Sequence, residues 1–180
     1  MQAVTAPEDR HFEALMFAGM FAGMLAGMLA GIGFGNADCH LPHGMSYAVA
    51  GLVKEYRAEG WLQGHPMVPH GIAVIVNSPA VFELTGPACP ERHFLAAEAI
   101  GNDMKGAEKR DAGKILANSI IAMMKATGIP NGLNAVGYTE DDIEDLTEGA
   151  FPQKRLIDNA PLPIGRGQLR DLFKKALRYW

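Results

Sequence analysis

The feature that most limits how this chain can fold is a long stretch without a charged side chain, residues 14–35. From Phe17 it repeats a four-residue unit that reads FAGM, FAGM, LAGM and LAGI. Its length is about that of a membrane-spanning helix, and its glycines recur at the spacing of close helix–helix contacts. Glycine and alanine fill half of each unit, however, and no Lys/Arg excess on one flank would orient a span. We therefore expect a helix buried in a globular protein, with a membrane span or a disordered repeat as alternatives.

The overall composition is that of an ordinary globular domain. The 180 residues are 48% hydrophobic and 20% charged, with a net charge of −4. The absence of a basic cluster argues against a nucleic-acid partner. Two cysteines are too few for a disulfide framework, and the acidic first residues do not resemble a secretory signal. The sequence thus predicts a cytoplasmic protein, or one of the mitochondrial matrix if its source is eukaryotic, and membrane association is not expected.

Downstream of the uncharged stretch, apolar patterns of helical length follow one another, and no alternating strand pattern is evident. Pro42, Pro69 and Pro90 each stand where a helix can begin. Thr139 can cap a later helix. The expected helices cover residues 43–56, 70–84 with a kink at Pro79, 90–101, 105–127, 140–149 and 167–179.

These patterns predict an all-α fold. Residues 31–38, GIGFGNAD, are expected to form a glycine-rich break, without the lysine of a phosphate-binding loop or a preceding strand. Residues 1–13 are expected to be an N-terminal arm, and residues 14–180 a single all-helical domain.

Two histidines share an unusual local pattern, because His43 and His70 each follow a proline and precede a glycine. Neutral imidazole is the commonest metal ligand, and the flanking residues suit a side chain at the start of a helix. The pattern makes both histidines candidate ligands of a divalent metal. Two histidines do not fill a site of about four ligands, so ordinary helix-start histidines are the alternative.

Several segments resemble the iron-containing alcohol dehydrogenases, and most closely their hydroxyacid–oxoacid transhydrogenase branch. These segments read GIGFGNADCHLPHGMSY, HPMVPHG, SPAVFELT, CPERHFLAAEAIG and NGLNAVGYTEDDIEDL. The resemblance covers about residues 29–178. It implies that the chain is the helical C-terminal metal-binding domain, and that the N-terminal α/β domain that binds NAD(P) is absent from this sequence. The metal implied is Fe²⁺, or else Zn²⁺, held by one Asp and three His, two of which correspond to His43 and His70.

The resemblance also implies an activity, namely hydride transfer between a small hydroxy acid or alcohol and a nicotinamide cofactor. The metal would act as a Lewis acid on the substrate oxygen. Tyr47, one helical turn beyond His43, matches the transhydrogenase branch and is the expected catalytic side chain, with packing as its alternative role. A separate nucleotide-binding half is a possible partner.

The other two ligands of the family have no counterpart before residue 31, so Asp38 and His40 are considered as substitutes beside the histidine pair. His11 and His93 are expected at the surface. Two other hypotheses stay open: an inactive degenerate fragment, and a small helical membrane-associated protein built on residues 14–35.

Overall fold

The computed structural model describes residues 23–61 and 64–180. The chain divides into two compact units, Met1–Asp38 and Cys39–Trp180, which we call the N-terminal unit and the C-terminal unit. The described residues form helices joined by turns, and their β pairing is limited to one isolated bridge between Arg57 and Met67. The predicted all-α class is therefore confirmed for this part of the chain. The predicted boundary between the arm and the domain lies outside the described residues and stays a prediction.

In the N-terminal unit, residues 23–37 form helix α1. Its large apolar side chains, among them Met24, Met28 and Phe34, are 45% to 66% exposed. The prediction of a buried helix is therefore wrong for these residues, because α1 is the only described element of its unit and nothing described there covers its side chains. No helix among the described residues is long and apolar enough to cross a membrane.

The predicted glycine-rich break is also wrong, because α1 continues through residues 31–37. The Asn36 side chain donates a hydrogen bond of 2.8 Å to the Ile32 carbonyl within the helix. The helix ends at Asp38, whose φ of 58° lies in the left-handed region. Such a residue is a common helix terminator, which explains why the end falls there and not at the glycines.

The C-terminal unit contains α2 (Leu41–Gly51), α3 (His70–Ile75), α4 (Ser78–Thr85), α5 (Pro90–Ala99), α6 (Ala112–Ala126), α7 (Ile143–Ala150), α8 (Lys154–Ile157) and α9 (Arg166–Ala176). Short 3₁₀ turns occur at Gly86–Ala88, Lys109–Asp111, Asn134–Val136 and Glu140–Asp142. Most helices begin close to the proline or capping residue that predicted their start. Two expected helices were too long, because α2 ends at Gly51 and α6 begins only at Ala112, after a 3₁₀ turn.

The expected kinked helix over 70–84 is in fact two helices. The turn between α3 and α4 contains Asn77, whose buried side-chain amide donates to the Ala73 carbonyl at 2.8 Å. Pro79 lies in the first turn of α4, where its missing N–H costs no helical hydrogen bond. Proline here therefore starts a helix instead of bending one.

The core of the C-terminal unit forms where α2 packs on α3 and α7, α4 on α6, and α9 on α7 and α4. Its largest fully buried side chains include Tyr138, Phe173, Leu41 and Met45. The Tyr138 hydroxyl donates to the Val49 carbonyl at 2.6 Å. Burial, with a smaller contribution from the nearby Asp142 carboxylate, raises the pKa of Tyr138 to about 12.

The start of the α7 segment is held by Asp142. Its Oδ2 accepts hydrogen bonds from the Thr139 backbone N–H at 2.8 Å and from Lys54 Nζ at 2.6 Å. Burial raises the pKa of Asp142, but these hydrogen bonds outweigh it and hold the pKa below its usual value. The charged carboxylate therefore stabilises the fold at neutral pH, and this contribution is lost as the pH falls through the lowered pKa.

We expect Asp142→Asn to lower the free energy of unfolding by about 1 kcal/mol at pH 7, a typical value for a helix cap. The difference from the unaltered protein should shrink as the pH falls below about 3.9, the ordinary pKa of Asp. Urea unfolding at pH 7 and at a pH below about 3.9 measures this difference in stability. Asp145→Asn, which alters an exposed carboxylate in α7, is the control. A difference that persists in acid would contradict this account.

Candidate metal centre

His43 lies in the first turn of α2. The His40 carbonyl begins this helix by accepting hydrogen bonds from the backbone N–H groups of His43 at 2.9 Å and Gly44 at 3.1 Å. A Cβ atom at Gly44 would lie 3.3 Å from the Ile157 side chain, so glycine here permits the close approach of α8. The Ser46 hydroxyl donates to the His43 carbonyl at 2.7 Å. These bonds fix the turn from which the His43 side chain projects.

His70 is the first residue of α3. The carbonyl of Pro69, the preceding residue, accepts from the Ala73 N–H at 2.9 Å and begins the helix. The His70 side chain is exposed, whereas His43 is half-buried. Both histidines therefore stand at helix starts, where the proline and glycine pattern predicted them.

The structure brings the two imidazoles together, with ring centroids 5.4 Å apart and ring planes inclined by 55°. Two imidazoles bound to one tetrahedral ion through nitrogen at about 2.1 Å would have centroids about 5 Å apart. The pair therefore fits two positions of a metal site. That these histidines are ligands stays a prediction.

Among the described residues, no group of three or more His, Cys, Asp or Glu side chains is placed to hold a metal ion. The suggested substitute His40 does not complete a site with the pair, and the suggestion for Asp38, which lies in the N-terminal unit, stays a prediction. The described part of the chain thus offers two candidate ligands, fewer than the about four that such a site needs.

Tyr47 lies on α2, four residues after His43, and its side chain is 51% exposed. Residues four apart share one face of a helix, so its phenol is on the same side of α2 as the candidate ligand. The exposure argues against a packing role within this unit. Its catalytic role stays a prediction.

A second group of rings contains His40, Phe82 and His93. His93 is only 8% exposed, so its predicted surface position is wrong. Its Nε2 lies 2.8 Å from the Thr85 hydroxyl, and its Nδ1 lies 2.8 Å from the Cys89 carbonyl. The sequence held no signal for this burial, because it depends on which elements pack against α5.

Phe82 connects His93 to His40. Its ring contacts both imidazoles edge-on, with centroids 5.9 Å from His93 and 6.2 Å from His40. Burial lowers the pKa of His40, and its proximity to His93 and His43 lowers it further. The Nδ1 atom of His40 is buried and has no hydrogen-bond partner.

A family profile described as the C-terminal part of the Fe-containing alcohol dehydrogenase family matches residues 1–177. The chain belongs to this family. It corresponds to the C-terminal domain, and the helical architecture predicted from the resemblance is confirmed in the described residues.

Two relatives illustrate the extent of the match. The chain is 44% identical over 184 residues to the mitochondrial hydroxyacid-oxoacid transhydrogenase of Xenopus laevis, covering 99% of this chain and 37% of that protein. It is also 44% identical over 149 residues to the Homo sapiens protein of the same name, covering 83% of this chain and 32% of that protein. The chain therefore spans about a third of the length of these relatives.

Two solved structures share the fold of this chain. A 1,3-propanediol oxidoreductase superposes with a TM-score of 0.70 at 26% identity, over 82% of this chain and 35% of the other. An alcohol dehydrogenase from Oenococcus oeni superposes with a TM-score of 0.71 at 23% identity, over 83% of this chain and 35% of the other. The latter, at its lower identity, supports the fold alone.

Proposed function

We propose that this chain is the metal-binding domain of an oxidoreductase that moves hydride between a small hydroxy acid or alcohol and a nicotinamide cofactor. The observation that carries the proposal is the pairing of His43 and His70, 5.4 Å apart between ring centroids, in a chain of this family. The names of the relatives favour a hydroxy acid as donor and an oxo acid as acceptor. The donor loses a hydride from carbon and a proton from oxygen; the acceptor gains both.

Each side chain of the pair has a defined role in this proposal. His43 and His70 would hold Fe²⁺, or else Zn²⁺, through neutral imidazole nitrogens. When bound, the ion would supply Lewis-acid stabilisation of the substrate oxygen. Tyr47 would hydrogen-bond the substrate through its hydroxyl group.

The remaining parts of the active site would lie in the rest of a protein as long as the relatives, or in a separate nucleotide-binding half. That part would supply the remaining metal ligands and the NAD(P) site. The word mitochondrial in the names of the relatives favours a mitochondrial location, in agreement with the expectation of a matrix protein for a eukaryotic source. The incomplete ligand set in the described residues favours a second candidate, an inactive fragment.

Metal titration of the purified chain tests the proposal. Under anaerobic conditions we expect one Fe²⁺ or Zn²⁺ per chain, and we expect His43→Ala and His70→Ala each to raise the Kd at least about tenfold by removing a ligand. His65→Ala is the control, since His65 is an exposed histidine that lies in a loop and outside the pair. Equal binding by all four proteins would contradict the assignment of the pair.

Activity separates the enzyme from the inactive fragment. The chain would be mixed with the separately produced preceding part of the Xenopus laevis relative and a hydroxy acid deuterated at the carbinol carbon. Transfer of deuterium to an added oxo acid, lost in His43→Ala, is the expected result. Metal binding without deuterium transfer would favour the inactive fragment.

A further inference from the structure

We propose that His93, Phe82 and His40 form a column of rings that positions the first turn of α2 and thereby the candidate ligand in that turn. This inference rests on the proposed function, because the positioned group is His43. These residues would be positioning residues, since none of them belongs to the histidine pair. The column runs from its base in α4 and α5 to its end at α2.

The base of the column is fixed by hydrogen bonds to both nitrogens of His93. The Cys89 carbonyl can only accept, so Nδ1 carries the proton. Its Nε2 lies 2.8 Å from the Thr85 hydroxyl, which donates to the Val81 carbonyl at 3.0 Å. The orientation of the His93 ring is therefore fixed by the Cys89 carbonyl at the start of α5 and by the Thr85 hydroxyl on α4.

The middle of the column transmits this orientation by contact. Phe82 lies edge-on to His93 and edge-on to His40. Such edge-to-face contacts are directional, so they resist rotation as well as separation of the rings. Phe82 and Thr85 both lie on α4, three residues apart, and so share one helix face.

The column ends at His40, whose backbone carbonyl accepts the first hydrogen bonds of α2. The His40 carbonyl accepts from the N–H groups of His43 and Gly44, so a displacement of His40 moves the turn that bears the candidate ligand. His40 keeps a buried nitrogen without a partner. A buried unpaired polar atom is destabilising, and an apolar ring would fill a purely packing position at lower cost. Outer groups that orient metal-binding histidines commonly affect metal affinity by 10- to 100-fold.

Thr85→Val tests the column because it removes one hydroxyl at the base, far along the chain from the pair. We expect the Zn²⁺ Kd to rise about tenfold. We also expect the nuclear Overhauser effect between the ring protons of His43 and His70 to weaken in the metal-free protein. Thr85→Ser, which keeps the hydroxyl, should preserve both signals.

Thr147→Val is the matched control. Thr147 is also fully buried and also donates to a carbonyl four residues earlier, at 2.7 Å, but it contacts no ring of the column. Thr147→Val should lose about as much stability as Thr85→Val. It should leave the Zn²⁺ Kd and the nuclear Overhauser effect between the two histidine rings unchanged. Circular dichroism confirms that each variant is folded.

The inference is overturned if Thr85→Val leaves both signals intact, or if Thr147→Val reduces them equally. The ring-proton signal is read without metal, so it tests the column even if the chain binds no ion. Unchanged metal binding in His43→Ala would instead overturn the proposed function, and the two failures are thus distinguishable.

Discussion

Gly113→Ala is expected to lower the free energy of unfolding by about 3 kcal/mol, in the upper range for overpacking. Gly113 lies where α6 crosses α4. An added Cβ would come within 2.6 Å of the Phe82 carbonyl oxygen and 2.7 Å of the Gly86 Cα. Both are backbone atoms, so no side-chain rotation can relieve the overlap and the two helices must move apart. Urea unfolding followed by circular dichroism measures the change.

Gly167→Ala provides the matched control, because Gly113 and Gly167 are each the second residue of their helix. An added Cβ at Gly167 meets nothing within 4 Å. Alanine favours helix over glycine by about 1 kcal/mol, so this variant should be equally or more stable than the unaltered protein. Similar effects of the two substitutions would show that helix propensity, and not the close crossing, controls stability here.

Phe173→Ala should cost about 3–5 kcal/mol, the usual range for a fully buried aromatic residue. Phe173 lies on α9, which packs against α7 and α4, and none of its surface is exposed. Its removal leaves a cavity that three separate helices would have to close. Thermal and urea unfolding should both show the loss, and a large fall in expression of soluble protein would accompany it.

Phe34→Ala makes the same chemical change at an exposed site. Phe34 on α1 is 59% exposed, so its truncation removes little buried area and should change stability by less than about 0.5 kcal/mol. An equally large loss at Phe34 would mean that this face of α1 is covered in solution. Phe173→Ala and Phe34→Ala make the same substitution at a buried and at an exposed site. The difference between their losses of stability therefore measures the effect of burial.

Local sequence signals predicted most of the helices because their starts depend on chemistry within one turn. Pro90 began α5, and Thr139 stands immediately before the segment that leads into α7. The ends were harder to predict. The apolar pattern after Gly51 continued although the helix did not, and Pro79 restarted a helix at a turn that depends on the buried Asn77.

Burial was less predictable than helicity. The uncharged repeat indicated a buried helix, but helix α1 exposes Met24 and Phe34. His93 showed the reverse error, since it was expected at the surface and is buried. In both cases the deciding factor is which other elements pack against the helix, and a periodic pattern contains no information about those elements.

The sequence by itself determined the all-α class, the family resemblance and the two histidines whose Pro-His-Gly setting places them at helix starts. These features follow from chemistry within a few residues of each position. His43 and His70 are 27 positions apart in the chain, and only the tertiary structure decided that their ring centroids lie 5.4 Å apart. It also decided that the Phe82 ring contacts the rings of both His93 and His40. Such distances depend on how α2, α3, α4 and α5 pack on one another, and that packing is set by contacts between residues remote in sequence.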